Sequence, residues 1–129
     1  MEKYACKTKI ISGAGTVNTL KEMGAKMCVA TATDRYLVDN SLKKCGVREY
    51  FSEIFTCNEV GHGKDEPVIY EKALQYLGTK REKTVVFEDA IYAMETAKNA
   101  GFLVVGMFDK AEKDQRRVQN LADHYIKYF

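Results

Sequence analysis

Residues 84–109, TVVFEDAIYAMETAKNAGFLVVGMFD, constrain the fold of this chain more than any other stretch. Thr84-Val85-Val86-Phe87 is a short continuous apolar run rich in β-branched residues, the pattern of a strand buried on both faces of a parallel sheet. Glu88 and Asp89 follow where that strand should end. Ala90, Met94, Ala97 and Gly101 then recur at the spacing of a helix's inner stripe. Their small size would let the helix lie close to a sheet, and Gly101 suits a helix stop because glycine tolerates the left-handed conformation. Phe102 to Val105 is a second buried-strand run, ending at Gly106. The stretch therefore reads as one βαβ unit with two adjacent carboxylates at the carboxyl end of its first strand. Open α/β sheets bind ligands at that edge. The plainer role for Glu88 and Asp89 is to cap the helix and place negative charge at the positive end of its dipole.

With 129 residues the chain is expected to form one domain with a sizeable core. Twenty basic residues stand against 18 acidic ones, a net charge of +2, which predicts neither a nucleic-acid nor a membrane-surface partner. No apolar run approaches the roughly 20 residues of a membrane span. The opening MEKYACKTKI has no apolar signal region, so a cytoplasmic location is expected. Cys6, Cys28, Cys45 and Cys57 lie far apart with no CxxC pair, which favours reduced, mostly buried thiols over a zinc site. No linker, repeat or low-complexity segment divides the chain.

Earlier in the chain, Gly13-Ala14-Gly15 precedes a helical stretch carrying Val17, Leu20 and Met23 or Gly24 on one side. A dinucleotide loop would need a third glycine where Asn18 stands, so a plain turn into a helix is the better reading. Lys26 to Ala30 (KMCVA) is a buried-strand candidate ending in Thr31-Ala32-Thr33-Asp34. Thr33 or Asp34 could cap the next helix, which turns Leu37 or Val38, Leu42 and Cys45 inward and stops at Gly46. Alternatively, Thr31 offers its hydroxyl and neighbouring backbone N–H groups, such as that of Ala32, to an anion. Glu53 to Thr56 reads as the next strand. Lys64 lies in the polar loop Gly61-His62-Gly63-Lys64, either as a solvated charge or as a phosphate contact ahead of a helix. That helix runs from about Pro67 to Leu77, with either Ile69, Ala73 and Tyr76 or Tyr70, Leu74 and Leu77 inward. Beyond Asp109 a charged surface helix and a last short strand over Leu121–Ile126 are expected.

Three of these stretches together resemble the C-terminal part of a haloacid dehalogenase-superfamily hydrolase of the phosphatase and β-phosphoglucomutase-like branch. The resemblance is carried by VATAT with Thr31, by GKDEPV with Lys64, and by VVFEDA with Glu88 and Asp89. GVREYFSEIFT and the helix end before Gly101 also fit, so it covers nearly all of residues 13–126. It implies a Rossmann-like parallel sheet flanked by helices, and Mg²⁺-dependent phosphoryl transfer on small phosphorylated metabolites. It further implies that Glu88 and Asp89 form the metal side of the site, while Thr31, Ala32 and Lys64 hold phosphoryl oxygens. Asp65, Val68 and Ala90 depart from the family's usual proline, aspartate and serine, which bears on substrate geometry more than on fold.

One departure bears on activity. The family's first motif, DxDGT or DxDGV, supplies the nucleophilic aspartate and the general acid/base, and no DxD occurs in this sequence. The cap domain that usually selects the substrate is absent as well. The chain is therefore expected to be a C-terminal portion of a longer hydrolase, inactive alone. A non-catalytic phosphate-binding or interaction module is the alternative. A receiver-like or flavodoxin-like domain shares the architecture but would need an acidic residue where Thr31 stands. In the family the missing strand lies between those at Lys26–Ala30 and Thr84–Phe87. Its place could be taken by residues around Thr8–Ser12, by a second chain in a homodimer, or by a complementing N-terminal segment.

Overall fold

Val29–Thr31 (β1) is the first strand of the computed structural model, which describes residues 20–127. The substitute strand at Thr8–Ser12 and the Gly13-Ala14-Gly15 turn lie outside that range. After β1 come α1 (Arg35–Lys44), β2 (Ile54–Thr56), a short α2 (Cys57–Val60) and α3 (Val68–Leu77). The chain continues through β3 (Val85–Glu88), α4 (Ile91–Asn99), β4 (Leu103–Met107), α5 (Gln115–Leu121) and β5 (His124–Ile126). β1 pairs with β2 in parallel, from Val29 opposite Ile54 to Thr31 opposite Thr56. β3 pairs with β4 from Val85 opposite Leu103 to Glu88 opposite Gly106, and β4 with β5 from Val105 opposite His124 to Met107 opposite Ile126, both in parallel. A helix lies in each link between consecutive strands, as parallel neighbours require. The class is thus α/β with parallel sheets and flanking helices, as the sequence implied.

The pleat of β1 and β2 sends alternate side chains to opposite faces, and each face has its own core. Val29 and Ile54 enter one, with Val38 and Leu42 of α1 and with Val47 and Phe51. Ala30 enters the other, with Ile69 and Tyr70 of α3, Met94 and Ala97 of α4, Phe102, Val104 and Val118, and Phe55 packs against it. Gly101 closes α4 at φ +92°, the left-handed geometry expected of its stop.

The structure corrects several local expectations. Val38 and Leu42 face the core of α1 while Leu37 is exposed. On α3 the buried face is Ile69, Tyr70 and Ala73, a mixture of the two stripes, because consecutive residues share a wide apolar face. On α4 Met94 and Ala97 are buried as expected, with Ala93 rather than Ala90 beside them. Gly106 does not end β4 but sits inside it: a Cβ there would stand 2.9 Å from Val118 Cγ1 and 3.0 Å from both Ala122 Cβ and Met94 Cε. The strand around Thr84–Phe87 is not buried on both faces. Val85 is 42% exposed, Val86 and Phe87 are half-buried, and Glu88 is the one strand residue fully enclosed. The reason lies in the strand order, β2-β1 in one sheet and β3-β4-β5 in the other. Among the described residues no strand stands between β1 and β3, and a cleft separates them.

Candidate functional site

The carboxyl ends of the first three strands carry buried polar residues. Thr31 closes β1, Thr56 closes β2, and Glu88 closes β3 with Asp89 next; all four are buried. Asp109 follows β4 by two residues. A buried polar group needs a partner, since its desolvation is otherwise uncompensated. The partners define the site.

Lys64 is neither a solvated charge nor exposed: it is 3% exposed, and its Nζ donates to Glu88 Oε2 at 2.6 Å. The loop from Gly61 to Lys64 delivers it there, while His62 on the same loop points outward and pairs with Glu66 Oε2 at 3.0 Å. Tyr70, on the buried face of α3, donates its hydroxyl to the same Glu88 oxygen at 2.6 Å. Its ring lies 5.9 Å from Lys64 Nζ, measured to the ring centroid. Burial first, and then the Glu88 charge, hold the Tyr70 phenol protonated far above its ordinary range, so it remains a donor at neutral pH.

Asp89 behaves differently. Burial, the neighbouring Glu88 charge and a hydrogen bond with Asp109 raise its carboxyl to about 7, with Lys64 pulling weakly the other way. Glu88, Asp89 and Asp109 therefore crowd more negative charge onto this edge than Lys64 balances. A divalent cation would relieve that crowding. Carboxylate oxygens suit Mg²⁺, which commonly takes one or two of them and completes its shell with water and phosphate oxygens. Among the described residues no group of three or more His, Cys, Asp or Glu side chains is placed to hold a metal ion, so at most Glu88 and Asp89 would contribute, Asp89 the more readily because Glu88 Oε2 already accepts from both Lys64 and Tyr70.

Neither carboxylate caps α4. Ala90 holds the cap position, and the Ile91 N–H donates to Glu112 Oε1 at 2.9 Å from the following loop. Asp34 likewise stands at the cap of α1 without a side-chain bond to it. Thr31 Oγ1 instead accepts from the Thr33 N–H at 3.0 Å, which bends the chain sharply after β1 and leaves Ala32 exposed in the turn. The Thr31 hydroxyl can still donate its own hydrogen. The structure thus joins Lys64, Glu88 and Asp89 into one cluster and sets Thr31 and Ala32 on the same edge, at the end of β1.

Two further members are Tyr70 and Asp109. Tyr70 reads in sequence as one more apolar position of a helix, and its hydroxyl is the sole hint of another role. Asp109 could have been found from topology, because it follows the strand beside β3 on the carboxyl edge. Cys28, Cys45 and Cys57 are free thiols, and burial pushes the Cys28 thiol up to about 12, in keeping with unreactive packing. Among the described residues no helix is long and apolar enough to cross a membrane.

Known proteins share both sequence and fold with this chain. The model of the haloacid dehalogenase-like hydrolases matches residues 3–107. The chain is 36% identical over 86 residues to the pyrophosphatase PpaX of Halalkalibacterium halodurans, covering 67% of this chain and 40% of that protein. It is 34% identical over 82 residues to the phosphorylated carbohydrates phosphatase of Thermotoga maritima, covering 64% of this chain and 38% of that one. A HAD phosphatase from Thermococcus onnurineus superposes with a TM-score of 0.75 at 25% identity, over 88% of this chain and 51% of that structure. The chain therefore spans about two fifths of these curated relatives and about half of the solved structure. On the matched stretch, which takes in Thr31, Lys64, Glu88 and Asp89, this chain belongs to the haloacid dehalogenase-like hydrolase family.

Proposed function

We propose that this chain carries the phosphate- and metal-binding half of a phosphoryl-transfer site and does not turn substrate over by itself. The observation that carries the reading is the convergence of a buried Lys64 with Glu88 and Asp89 at the strand ends that also hold Thr31. Transfer of a phosphoryl group depends on neutralising its charge and aligning nucleophile with leaving group. Lys64 donates to Glu88 and would bring its positive charge to a phosphoryl oxygen. The Thr31 hydroxyl and the backbone N–H of Ala32 are the remaining donors. Asp89, with Glu88 behind it, would hold Mg²⁺, which when bound supplies the larger share of the neutralisation.

The attacking carboxylate is what this chain does not offer, since its sequence contains no DxD. Covalent catalysis depends on that group, and removing the nucleophile from a site that works as a unit costs on the order of 10⁶ in rate. The ligand class is a small phosphate ester or pyrophosphate, following the relatives that act on pyrophosphate and phosphorylated carbohydrates. A second reading, a phosphate-binding module without chemistry, is favoured by the way Lys64 and Tyr70 already satisfy Glu88. The two share the ligand and differ in whether a second polypeptide restores turnover.

Chemical-shift mapping with millimolar Mg²⁺ and inorganic phosphate tests the shared part. The resonances of Thr31, Ala32, Lys64 and Asp89 are expected to move together. Their standing still while others shift would refute the assignment of these residues.

A further inference from the structure

We propose that Tyr70 is a positioning residue for Glu88: its hydroxyl holds one carboxylate oxygen in place so that the other is presented to a divalent cation. The inference rests on the phosphate and metal reading above and adds to it a residue that would touch neither ligand. The two oxygens of Glu88 are used unequally. Oε2 accepts from Lys64 Nζ and from the Tyr70 hydroxyl, each at 2.6 Å. Oε1 accepts no hydrogen bond among the described residues. Glu88 is 1% exposed, so bulk solvent does not compensate. A buried carboxylate oxygen without a partner is costly. A trapped water would donate to it, but only a cation also offsets the charge that Asp89 and Asp109 add beside it.

The two donors on Oε2 differ in stiffness. Tyr70 comes from the buried face of α3 and is itself 3% exposed. It packs in the core with Ile69, Met94 and Phe102, and its ring centroid lies 6.2 Å from that of Phe102. A tyrosine packed on all sides carries its hydroxyl on a rigid ring, so the donor is a fixed point. Lys64 comes from the loop after Gly61 and ends a flexible stem with rotatable donors. Lys64 supplies most of the attraction on Glu88, and Tyr70 supplies the direction.

Removing the hydroxyl has two opposed effects on a cation. With one fewer donor Glu88 keeps more negative charge, which favours any cation. Against this, the carboxylate would be held by Lys64 alone, whose ammonium would be free to bridge both oxygens and stand where the cation is needed. Magnitude and ion type decide between them. Hydrogen-bond partners behind a ligating carboxylate commonly govern metal affinity by about 10–100-fold. Mg²⁺ demands near-octahedral geometry at short distances, so misdirection of Glu88 outweighs the added charge. Ca²⁺ accepts a larger and more adaptable shell and is far less sensitive to direction. Tyr70 therefore biases the site toward Mg²⁺ as well as strengthening it.

The test titrates Mg²⁺ and Ca²⁺ separately into the full chain and into Tyr70→Phe, each shown to be folded by circular dichroism, and follows the Asp89 amide resonance. In Tyr70→Phe the Mg²⁺ affinity is expected to fall about 10–100-fold and the Ca²⁺ affinity much less. Equal losses for the two ions, or Mg²⁺ affinity unchanged or raised, would overturn the positioning role and leave the metal reading standing. An Asp89 resonance that neither ion moves in the parent would remove both. A second measurement needs no variant and so survives a failure of Tyr70→Phe to fold. The buried Tyr70 hydroxyl proton of the parent is expected to remain visible in proton spectra up to Mg²⁺ saturation. Its disappearance on adding Mg²⁺ would mean that the ion displaces the Tyr70–Glu88 bond, which overturns the proposal.

Discussion

Glu88 accepts two short hydrogen bonds on one oxygen, both in a place that water scarcely reaches. A buried ion pair gains little over an apolar pair, but removing one partner strands the other charge. Lys64→Met should therefore cost about 3–5 kcal/mol in urea denaturation, and adding Glu88→Gln should recover much of the loss. Tyr70→Phe removes one donor to a charged acceptor and should cost about 1.5–3 kcal/mol. Asp89 predicts a pH dependence of the opposite kind. Its folded pKa lies above the unfolded value of 3.8, at about 7, so it favours folding most fully below 3.8 and loses that contribution as pH rises through 7. In EDTA, Asp89→Asn should thus be more stable than the parent by roughly 2 kcal/mol at pH 8, with the gain shrinking as pH falls below 7. Asp89 and Lys64 were legible as candidates because each stands at a motif-bearing strand end or loop. The Glu88–Tyr70 bond was not, because it joins residues 18 apart on different elements and leaves no mark on either element's periodicity.

Among the elements, β4 is where packing is tightest. Gly106→Ala would press a methyl against Val118, Ala122 and Met94, so a loss of about 1–3 kcal/mol is expected. Asp123 ties β4 to the start of β5: its Oδ2 accepts from the Val104 N–H at 2.8 Å, its Oδ1 accepts from Lys98 at 3.0 Å, and its own N–H donates to the Val104 carbonyl at 2.8 Å. The Val104 N–H first, then Lys98, hold its carboxyl below the ordinary value of 3.8. Asp123→Ala should cost about 1 kcal/mol near neutrality, a figure reduced for the exposure of the pair. Because the folded pKa is depressed, that cost is present above 3.8 and disappears as pH falls through the folded value, which acid titration of both proteins can follow. The existence and order of these elements followed from apolar runs and glycine stops, although the first and last strands begin three residues later than expected, at Val29 and His124. On α4 the expected Met94 and Ala97 are buried, but Ala93 joins them in place of Ala90, and the role of Gly106 did not follow because it depends on Val118 and Ala122 packing against β4. The cap of α4 was hidden for the same reason: Glu112 reaches Ile91 from 21 residues away.

At the scale of the molecule, the described residues form parallel α/β sheets separated by a cleft, with the polar cluster on their carboxyl edge. Among the described residues no strand pairs with β3 on the side away from β4, and β3 is less buried than its composition suggests. The outline of the site was legible because its residues lie at strand ends, where a parallel sheet gathers them whatever their separation in sequence. Hydrolysis of p-nitrophenyl phosphate with Mg²⁺, on a sample of verified mass and oligomeric state, tests the central claim most directly. No turnover, with Asp89→Asn indistinguishable from the parent, is the predicted result. Robust turnover that Asp89→Asn abolishes would contradict it, since another carboxylate would then be acting as nucleophile.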